Sequence, residues 1–404
     1  MNRLRCIDAM HLGVRLKALL LTAALVSIPL TNPQPTSAAT PLELAPGANQ
    51  FAVSHDSVCA IDISHHLFCW GDNTGATLGL KPSVKFSQAP RRVGTAKWRS
   101  VFSGLAMCAV RWDRSLWCWG TAVDRLQPNY KEYLPYHFTP GLVTRRSVHA
   151  VAFYAGSTCY ITSSRELWCS LDGDYYFTAG WRRISQGPTL ASRVFGSAFC
   201  FLNLDQIIRC FGKNFVGAFP TGDGTPLLVK KPRRVPGTYQ SLAFRPLLED
   251  PWCALDTEGY QRCWGARATG LQWSLPARVS ASWVEENGAP CEAGICITSP
   301  TRIDDIRWQT LWTDQCGVLA DGSVSCHHKI NEAFYNDSPQ LSVTITDPLS
   351  DIQLSDRIGC GSKQDRTLWC WGLQDFSTDS VSGPRTFGRD ESDYATSPVL
   401  VMRP

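Results

Sequence analysis

The chain has 404 residues and a formal net charge of +4 at pH 7. Its first 39 residues hold four basic side chains and one acidic side chain, so the rest of the chain is close to neutral, at about +1. This balance argues against a strongly basic face of the kind that binds nucleic acid. The length alone would indicate two domains, but the sequence repeats one pattern throughout, and a repeat is the stronger guide to architecture.

The first 39 residues have the composition of a secretion signal. An apolar run from Ala18 to Leu30 is too short to span a bilayer easily, and small residues at Ser37 to Ala39 offer a cleavage site. The positive residues before the run are Arg3, Arg5, Arg15 and Lys17. We therefore predict that residues 1–39 are a signal peptide rather than a disordered tail. No later segment resembles a membrane helix.

A motif of two cysteines separated by nine residues recurs seven times. It has a polar turn between two apolar runs, and it often ends in Trp-Gly, as in the copy from Cys108 to Gly120. In the first copy Cys59 lies opposite Cys69 when residues 62–66 are placed in the turn, which predicts an antiparallel hairpin. The first cysteines of the copies are Cys59, Cys108, Cys159, Cys200, Cys253, Cys316 and Cys360.

Both faces of each predicted hairpin are apolar. One face carries the cysteine pair and an aliphatic pair such as Ile61 and Leu67, and the other pairs a small residue with a large one, such as Ala109 with Trp117. A hairpin of this kind must be covered on both sides by its neighbours, which is the logic of stacked repeats.

Directly opposed cysteines lie within the Cα separation that a disulfide tolerates. We therefore predict seven cross-strand disulfides, each stabilising its hairpin by about 2–3 kcal/mol. Reduced, buried cysteine is the alternative, but seven identical spacings without a zinc-type arrangement favour oxidation and hence export. The predicted pairs are Cys59–Cys69, Cys108–Cys118, Cys159–Cys169, Cys200–Cys210, Cys253–Cys263, Cys316–Cys326 and Cys360–Cys370.

The longest insert, between the fifth and sixth copies, holds two further cysteines. Cys291 and Cys296 pair most simply with each other, as an eighth disulfide that clamps a loop. This pairing leaves Cys6, within the signal, as the odd one of 17 cysteines.

Two further strand signals precede each hairpin. One is a Pro-x-x-Val element such as Pro90 to Val93, and the other is an apolar pair such as Trp98 and Val101. Four strands in each of seven units of about 50 residues predict an all-β, seven-bladed β-propeller over residues 45–404. The chain ends on a similar element, Pro398 to Val401. We expect this C-terminal strand to complete the first blade and so leave the ring without an edge.

The full pattern resembles the repeat of the regulator of chromosome condensation family. It combines Cys-Ala-Val, a polar turn, Leu-Trp-Cys-Trp-Gly and a Pro-x-x-Val element, and it is most similar to the cysteine-paired form found in exported bacterial proteins and crinkly-type receptor-kinase ectodomains. The resemblance covers residues 45–404 and implies a propeller. It implies no single function, since the family includes nucleotide-exchange factors, β-lactamase inhibitors and receptor ectodomains. The third, fourth and sixth copies depart from it, with Ser170-Leu171, Phe211-Gly212 and His327-His328 in place of Trp-Gly.

Aromatic loops are the candidate contact surfaces. The binding residues that we predict are Tyr133, Tyr136, Tyr175 and Tyr176. Packing on an adjacent blade is the equal alternative. The basic pairs, such as Arg145 with Arg146, lie where a loop leads into a strand, and solvation explains them better than an anion site.

No catalytic, metal or cofactor motif is present in the sequence. We therefore predict a secreted or periplasmic, non-catalytic protein that presents inter-blade loops to a protein or glycan, with no nucleic-acid partner and no membrane span once the signal is removed. The alternative is a lyase- or hydrolase-type enzyme whose site draws single residues from several blades onto one propeller face. A nuclear exchange factor rests on the resemblance alone and is opposed by the signal and the cysteine pairs.

Overall fold

The computed structural model describes residues 40–402, apart from 55, 105, 122–135, 155–156, 171–180, 186, 196–197, 214–227, 244–251, 267–295, 314–315, 331–340, 346–347, 356 and 374–393. Contacts divide the chain into residues 1–38 and residues 39–404, and all of the described residues belong to the second unit. The predicted signal, residues 1–39, lies outside the described residues. Every regular element in the described part is a β-strand. No helix there is long and apolar enough to cross a membrane.

Each cysteine hairpin forms the two middle strands of an antiparallel set of four. Alternation of small, aliphatic and aromatic residues suits such strands, since both faces are buried. The first set is β1 (Phe51–Val53), β2 (Ser57–Ile61), β3 (Leu67–Asp72) and β4 (Phe86–Arg92). The second is β5 (Trp98–Ser103), β6 (Ala106–Arg111), β7 (Leu116–Thr121) and β8 (Tyr136–Thr144). The third is β9 (Val148–Tyr154), β10 (Ser157–Thr162), β11 (Leu167–Ser170) and β12 (Trp181–Arg183).

The remaining sets follow the same order. The fourth is β13 (Thr189–Phe195), β14 (Ala198–Asn203), β15 (Ile208–Lys213) and β16 (Leu228–Arg234). A seven-stranded sheet comes next, with β17 (Tyr239–Ala243), β18 (Trp252–Asp256), β19 (Tyr260–Ala266), β20 (Cys296–Thr313), β21 (Cys316–Leu319), β22 (Val324–Ile330) and β23 (Leu341–Ile345). The last sheet is β24 (Asp351–Leu354), β25 (Ile358–Ser362), β26 (Leu368–Leu373) and β27 (Tyr394–Leu400).

The seven-stranded sheet joins the fifth and sixth hairpins through one long strand. The first part of β20 pairs with β19, as Thr301 does with Cys263, and the second part pairs with β21, as Trp308 does with Leu319. We call the first strand of a set its inner strand and the fourth its outer strand. Strand β20 is therefore the outer strand of the fifth set and the inner strand of the sixth. We number the sets 1 to 7 by their hairpins.

All seven predicted hairpin disulfides are formed. The paired Cα atoms lie 4.0–4.1 Å apart, and in every hairpin the two cysteines are direct partners in the strand register. Each pair is buried, with at most 1% of the cysteine side chain exposed. The predicted Cys291–Cys296 bridge falls outside what the structure describes, since Cys291 lies in a gap and the side chain of Cys296 is not described.

The hydrophobic core lies between neighbouring sets. Cys59, Ile61 and Leu67, on the cysteine face of set 1, pack with Ala109 and Trp119 on the other face of set 2. Equivalent clusters lie between sets 2 and 3, 3 and 4, 4 and 5, and 5 and 6. The two apolar faces of each hairpin are thus both covered, as the sequence pattern requires.

Set 7 packs against set 1. Cys360, Cys370 and Leu368 share a cluster with Ala60 and Trp70. The contact is also polar, because the Gln353 side-chain amide donates to the Phe51 carbonyl at 2.9 Å and Arg357 pairs with Asp56 at 3.0 Å. The first and last hairpins are therefore neighbours in space.

The C-terminal strand corrects one sequence prediction. We expected Pro398 to Val401 to complete the sheet of the first hairpin, but β27 pairs with β26, as Val399 does with Cys370. The reason is that a Pro-x-x-Val element forms the outer strand of the hairpin before it: β4 pairs with β3, and Arg91 lies opposite Cys69. Set 1 has its own inner strand, β1, in which Ala52 lies opposite Cys59.

The Trp-Gly ending of the motif has a steric cause. Gly71, Gly120, Gly212 and Gly372 have positive φ values of 104–109°. A Cβ at Gly71 would lie 2.4 Å from the carbonyl oxygen of Asp56, in the connection between β1 and β2. The glycine therefore lets β3 approach this connection closely, while Trp70 before it is fully buried in the core.

Replacing this glycine should be costly. We expect Gly71→Ala to lower the free energy of unfolding by about 2–4 kcal/mol, because it combines a left-handed backbone with a backbone clash. Gly94 is the matched control, since its φ is +61° but nothing lies within 4 Å of its Cβ position. Gly94→Ala should cost only about 1 kcal/mol. Urea denaturation followed by tryptophan fluorescence measures both, and equal losses would contradict the close approach at Gly71.

A partly buried carboxyl group begins β24. Burial raises the pKa of Asp351 from 3.8 to about 6, although a backbone hydrogen bond from Ile352 opposes the shift. The unfolded chain therefore releases this proton at lower pH than the folded chain does. The contribution of Asp351 to stability is complete below about pH 4, falls as the pH rises, and is lost above pH 6.

We accordingly expect Asp351→Asn to raise the free energy of unfolding at pH 7, by at most about 3 kcal/mol, and to have little effect at pH 4. Asp365 gives the opposite sign, because the Thr367 hydroxyl and amide hydrogen bonds lower its pKa. Asp365→Ala should therefore lower the free energy of unfolding at pH 7 and should lower it by less at low pH. Denaturation curves at the two pH values measure both variants. A pH-independent effect of Asp351→Asn would mean that packing, not ionisation, decides it.

Candidate functional site in an arginine pocket at the hairpin turns

Every hairpin turn has the same backbone. In the first turn His65 N–H donates to Asp62 O at 2.7 Å, and Asp62 N–H donates to His66 O at 2.9 Å. This is a β-turn followed by one residue in the left-handed region, a common three-residue hairpin loop. The left-handed residue is always the sixth after the first cysteine: His65, Arg114, Arg165, Gln206, Gly259, Gly322 and Arg366, with φ between 60° and 88°.

The carbonyl group of this left-handed residue links consecutive sets. Arg114 O accepts from Val148 N–H, at the start of β9, at 3.0 Å, and Arg165 O accepts from Thr189 N–H, at the start of β13, at 2.9 Å. The same bond joins Arg366 O to Leu44 N–H, just before set 1, at 2.8 Å. Because the link uses only the backbone, the side chain at this position is not needed for it.

Glycine is therefore the residue that the turn itself prefers, and sets 5 and 6 have it. A non-glycine residue in the left-handed region costs about 1–2 kcal/mol. Arginine occupies the position at Arg114, Arg165 and Arg366. Strained residues of this kind are a reason to look for function at the same place.

Two of these arginines line one cavity. The cavity has a volume of about 340 Å³ and lies among the inner strands and turns of sets 1 to 3. Arg114 comes from the turn of hairpin 2, Arg165 from the turn of hairpin 3, and Arg99 from the start of β5. None of the residues that line it is Asp or Glu. The pocket therefore carries three guanidinium charges without a carboxylate.

Hydrogen bonds fix Arg114. Its Nη1 donates to the Ser163 hydroxyl at 3.1 Å and lies 3.5 Å from the Ser147 hydroxyl, and the two hydroxyls are 2.8 Å apart. Ser147 precedes β9 and Ser163 lies in the third turn. The guanidinium is thereby held across the junction between sets 2 and 3 by neutral partners, so its charge is not cancelled.

Burial and the positive charge of the pocket both affect the pKa of His149. Desolvation lowers its pKa, and the charges of Arg165 and Arg114 lower it further. The imidazole is therefore neutral at pH 7 and offers a donor and an acceptor beside the guanidinium groups.

Gln50 lines another wall of the pocket, and only 5% of this residue is exposed. Its side-chain amide donates to Ala48 O at 2.9 Å and to Arg99 O at 2.8 Å, which ties the chain before β1 to the start of β5. Its Oε1 atom is buried and has no hydrogen-bond partner among the described residues. The wall thus retains an unused acceptor.

The acidic residues near the pocket are turned to other partners. Asp113 accepts from the amide and hydroxyl of Ser115 at 2.9 and 2.5 Å, which lowers its pKa. Glu166 pairs with Arg183 at 3.2 Å. Neither carboxylate belongs to the lining of the pocket, and the local charge stays positive although the whole chain is close to neutral.

An exposed tryptophan stands at the rim. Trp112 is 55% exposed, and the Arg99 guanidinium lies 5.1 Å from its ring centroid. The ring of His65 packs edge-on against it at 4.6 Å. Arg99 therefore connects the pocket with an aromatic surface that faces solvent.

The binding residues predicted from sequence fall elsewhere. Tyr133, Tyr175 and Tyr176 lie outside the described residues, and Tyr136 begins β8 with a side chain that is not described. Among the described residues no group of three or more His, Cys, Asp or Glu is placed to hold a metal ion. Sequence reasoning missed the pocket because it aligned the hairpins for their apolar pairs only. The recurrence of arginine six residues after Cys108 and Cys159 was the available signal.

The sequence matches no protein-family profile. It also matches no curated protein at a significant level. Solved structures do match the fold. Human WBSCR16 shares 15% identity over 83% of this chain and 93% of its own, with a TM-score of 0.58.

Two further matches have lower TM-scores. Yeast RCC1 (Prp20), from Saccharomyces cerevisiae, was solved bound to Kap60 and shares 14% identity over 87% of this chain and 74% of its own, with a TM-score of 0.49. The CRINKLY ectodomain of the Arabidopsis thaliana receptor kinase ACR4 shares 16% identity over 80% of this chain and 95% of its own, with a TM-score of 0.44. The chain thus resembles the regulator of chromosome condensation-type propeller proteins in fold, as its repeat predicted.

Proposed function

We propose that the chain is an exported, non-catalytic binding protein whose residues 45–404 form a closed, seven-bladed propeller behind a signal peptide at residues 1–39. Its partner is a protein or a glycan, bound at the ring face that carries the hairpin turns. The observation that carries this proposal is the pocket of Arg99, Arg114 and Arg165, three guanidinium groups with no carboxylate in the lining.

Export is supported by the seven disulfides, since such bonds persist in oxidising compartments. A closed ring is supported by the cluster between sets 7 and 1 and by the Leu44–Arg366 backbone bond, which repeats the link between other consecutive sets. A rigid framework of this kind limits the conformational entropy that binding would otherwise cost.

An enzyme is the second candidate, and Asp351 is the observation in its favour. A carboxyl group with a pKa of about 6 suits general acid–base chemistry at neutral pH. Ser350 and Ser362, its polar neighbours, bond to each other at 3.1 Å rather than forming an array that points at a substrate. A single carboxyl group with a raised pKa supports turnover less well than the three arginines that line one pocket support binding.

Mass spectrometry of the mature protein tests export and folding together. We expect the N-terminus to begin near residue 40 and all 16 remaining cysteines to resist alkylation until a reductant is added. Retention of residues 1–39, or alkylation of a hairpin cysteine without reductant, would contradict this part of the proposal.

A capture experiment tests the binding face. Immobilised mature protein should retain a saturable partner from the extracellular or periplasmic fraction, and the triple variant Arg99→Gln, Arg114→Gln and Arg165→Gln should lose it. Arg366→Gln is the matched control, because Arg366 has the same backbone position but lies in hairpin 7 and does not line the pocket. Equal retention by the wild-type chain and the triple variant would place binding elsewhere, and no saturable partner would count against a binding role.

A further inference from the structure

We propose that the arginine pocket binds an acidic saccharide, with the carboxylate or sulfate group held by Arg99, Arg114 and Arg165 and a sugar ring stacked on Trp112. This inference rests on the proposed binding function and names the chemistry of its ligand. It uses a cavity among sets 1 to 3, three charges and an exposed ring; Arg99, Arg114 and Trp112 belong to set 2 and Arg165 to set 3.

The charges select an anion. Guanidinium groups present paired N–H donors that match the two oxygen atoms of a carboxylate or sulfate. Arg114 is held in place by the hydroxyl groups of Ser147 and Ser163, and Arg165 lies in the same turn as Ser163. An anion entering the pocket would therefore meet one guanidinium, that of Arg114, already oriented, and no acidic side chain of the lining would repel it.

The backbone strain points the same way. Arg114 and Arg165 occupy a left-handed position whose set-to-set hydrogen bond needs no side chain. Glycine fills it in sets 5 and 6, as Gly259 and Gly322. His65, Gln206 and Arg366 occupy the same position in other turns, so what distinguishes Arg114 and Arg165 is that both line one cavity.

The rim favours a saccharide over a protein. Trp112 is 55% exposed although Arg99 lies over its ring and His65 packs against it, and a sugar ring presents an apolar face of C–H groups to such an aromatic surface. Large exposed apolar side chains in the described part are Ile63, Trp112, Leu204 and Ile306, from hairpins 1, 2 and 4 and from β20. Within the described part each of these elements contributes one such side chain, whereas the centre of a protein interface is more apolar than its rim.

The size of the cavity agrees with a small, polar ligand. About 340 Å³ lies at the lower end of the range for sites that enclose part of a small molecule. The neutral ring of His149, which lines the pocket, adds a hydrogen-bonding group of the kind that hydroxyl groups of a sugar require.

Titration calorimetry with defined oligosaccharides tests the proposal. The probes are a tetrasaccharide of galacturonic acid, a sulfated chondroitin tetrasaccharide, neutral chitotetraose and an octapeptide of glutamic acid. We expect saturable binding of at least one acidic saccharide and none of chitotetraose. Binding of the galacturonic acid tetrasaccharide shows that carboxylate suffices, whereas binding of the chondroitin tetrasaccharide alone, which carries both groups, shows that sulfate is needed. The affinity should fall as sodium chloride rises from about 50 to about 500 mM, because the screening length shortens.

Variants separate the parts of the site. Arg165→Gly and Trp112→Ala should each weaken binding by about tenfold or more. Arg366→Gly is matched to Arg165→Gly in residue type and backbone conformation and should leave binding unchanged. Both glycine variants should retain or raise the midpoint of thermal unfolding, so a loss of binding by Arg165→Gly alone could not be ascribed to unfolding.

Other outcomes would overturn the inference. They are binding of chitotetraose or of the glutamic acid peptide as tight as that of the acidic saccharides, equal binding by Arg165→Gly and Arg366→Gly, and no binding of any probe. If the capture experiment still yields a partner that needs the arginines, the proposed binding function stands and only the acidic saccharide is wrong. If capture also fails, both are wrong.

Discussion

The joined cysteine pair at the centre of each hairpin is the constraint on which the rest of the structure depends. It fixes the register of the two middle strands. A register shift of one residue would turn the side chains of one strand to the opposite face and so break the pairs of small with large residues, such as Ala109 with Trp117. The same sulfur atoms are buried and pack against the next set, as those of Cys59 and Cys69 do against Trp98 and Trp119. The disulfide therefore stabilises its own hairpin and also packs against the neighbouring set.

Between sets, the backbone makes a link that the sequence does not reveal. The carbonyl group of the left-handed turn residue accepts a hydrogen bond from an amide at the start of the following inner strand, and the bond from Leu44 to Arg366 repeats this link between sets 7 and 1. Since the carbonyl group carries the link, the side chain is free to differ from hairpin to hairpin. The repeat thus separates a fixed scaffold from a variable surface, which is how a repetitive fold acquires one specific site.

The sequence predicted the all-β repeat, the hairpin registers and the seven disulfides because each depends on residues close together in the chain. Cys108 opposite Cys118 and Ala109 opposite Trp117 follow from period and spacing alone. The partner of the Pro-x-x-Val element was predicted wrongly for the C-terminal strand, since spacing does not tell whether a strand joins the hairpin before or after it. In the structure β4, which holds a Pro-x-x-Val element, is the last strand of its set. Residues 93–97 then lead from the outer edge of that set to β5, at the inner edge of the next set.

The pocket could not be predicted from net charge or from catalytic motifs, for a physical reason. A formal net charge near zero constrains only the sum of all charges in the chain. The charge of a site depends on which charged side chains lie close together and on which of them are paired with opposite charges. Asp113 lies next to Arg114 in the sequence, yet its carboxylate accepts from Ser115, and Glu166 lies next to Arg165 but pairs with Arg183. Each acid next to a pocket arginine is thus committed within its own sheet. The arginines of two sheets therefore line the pocket without a carboxylate beside them. In this way a nearly neutral chain has a local cationic site.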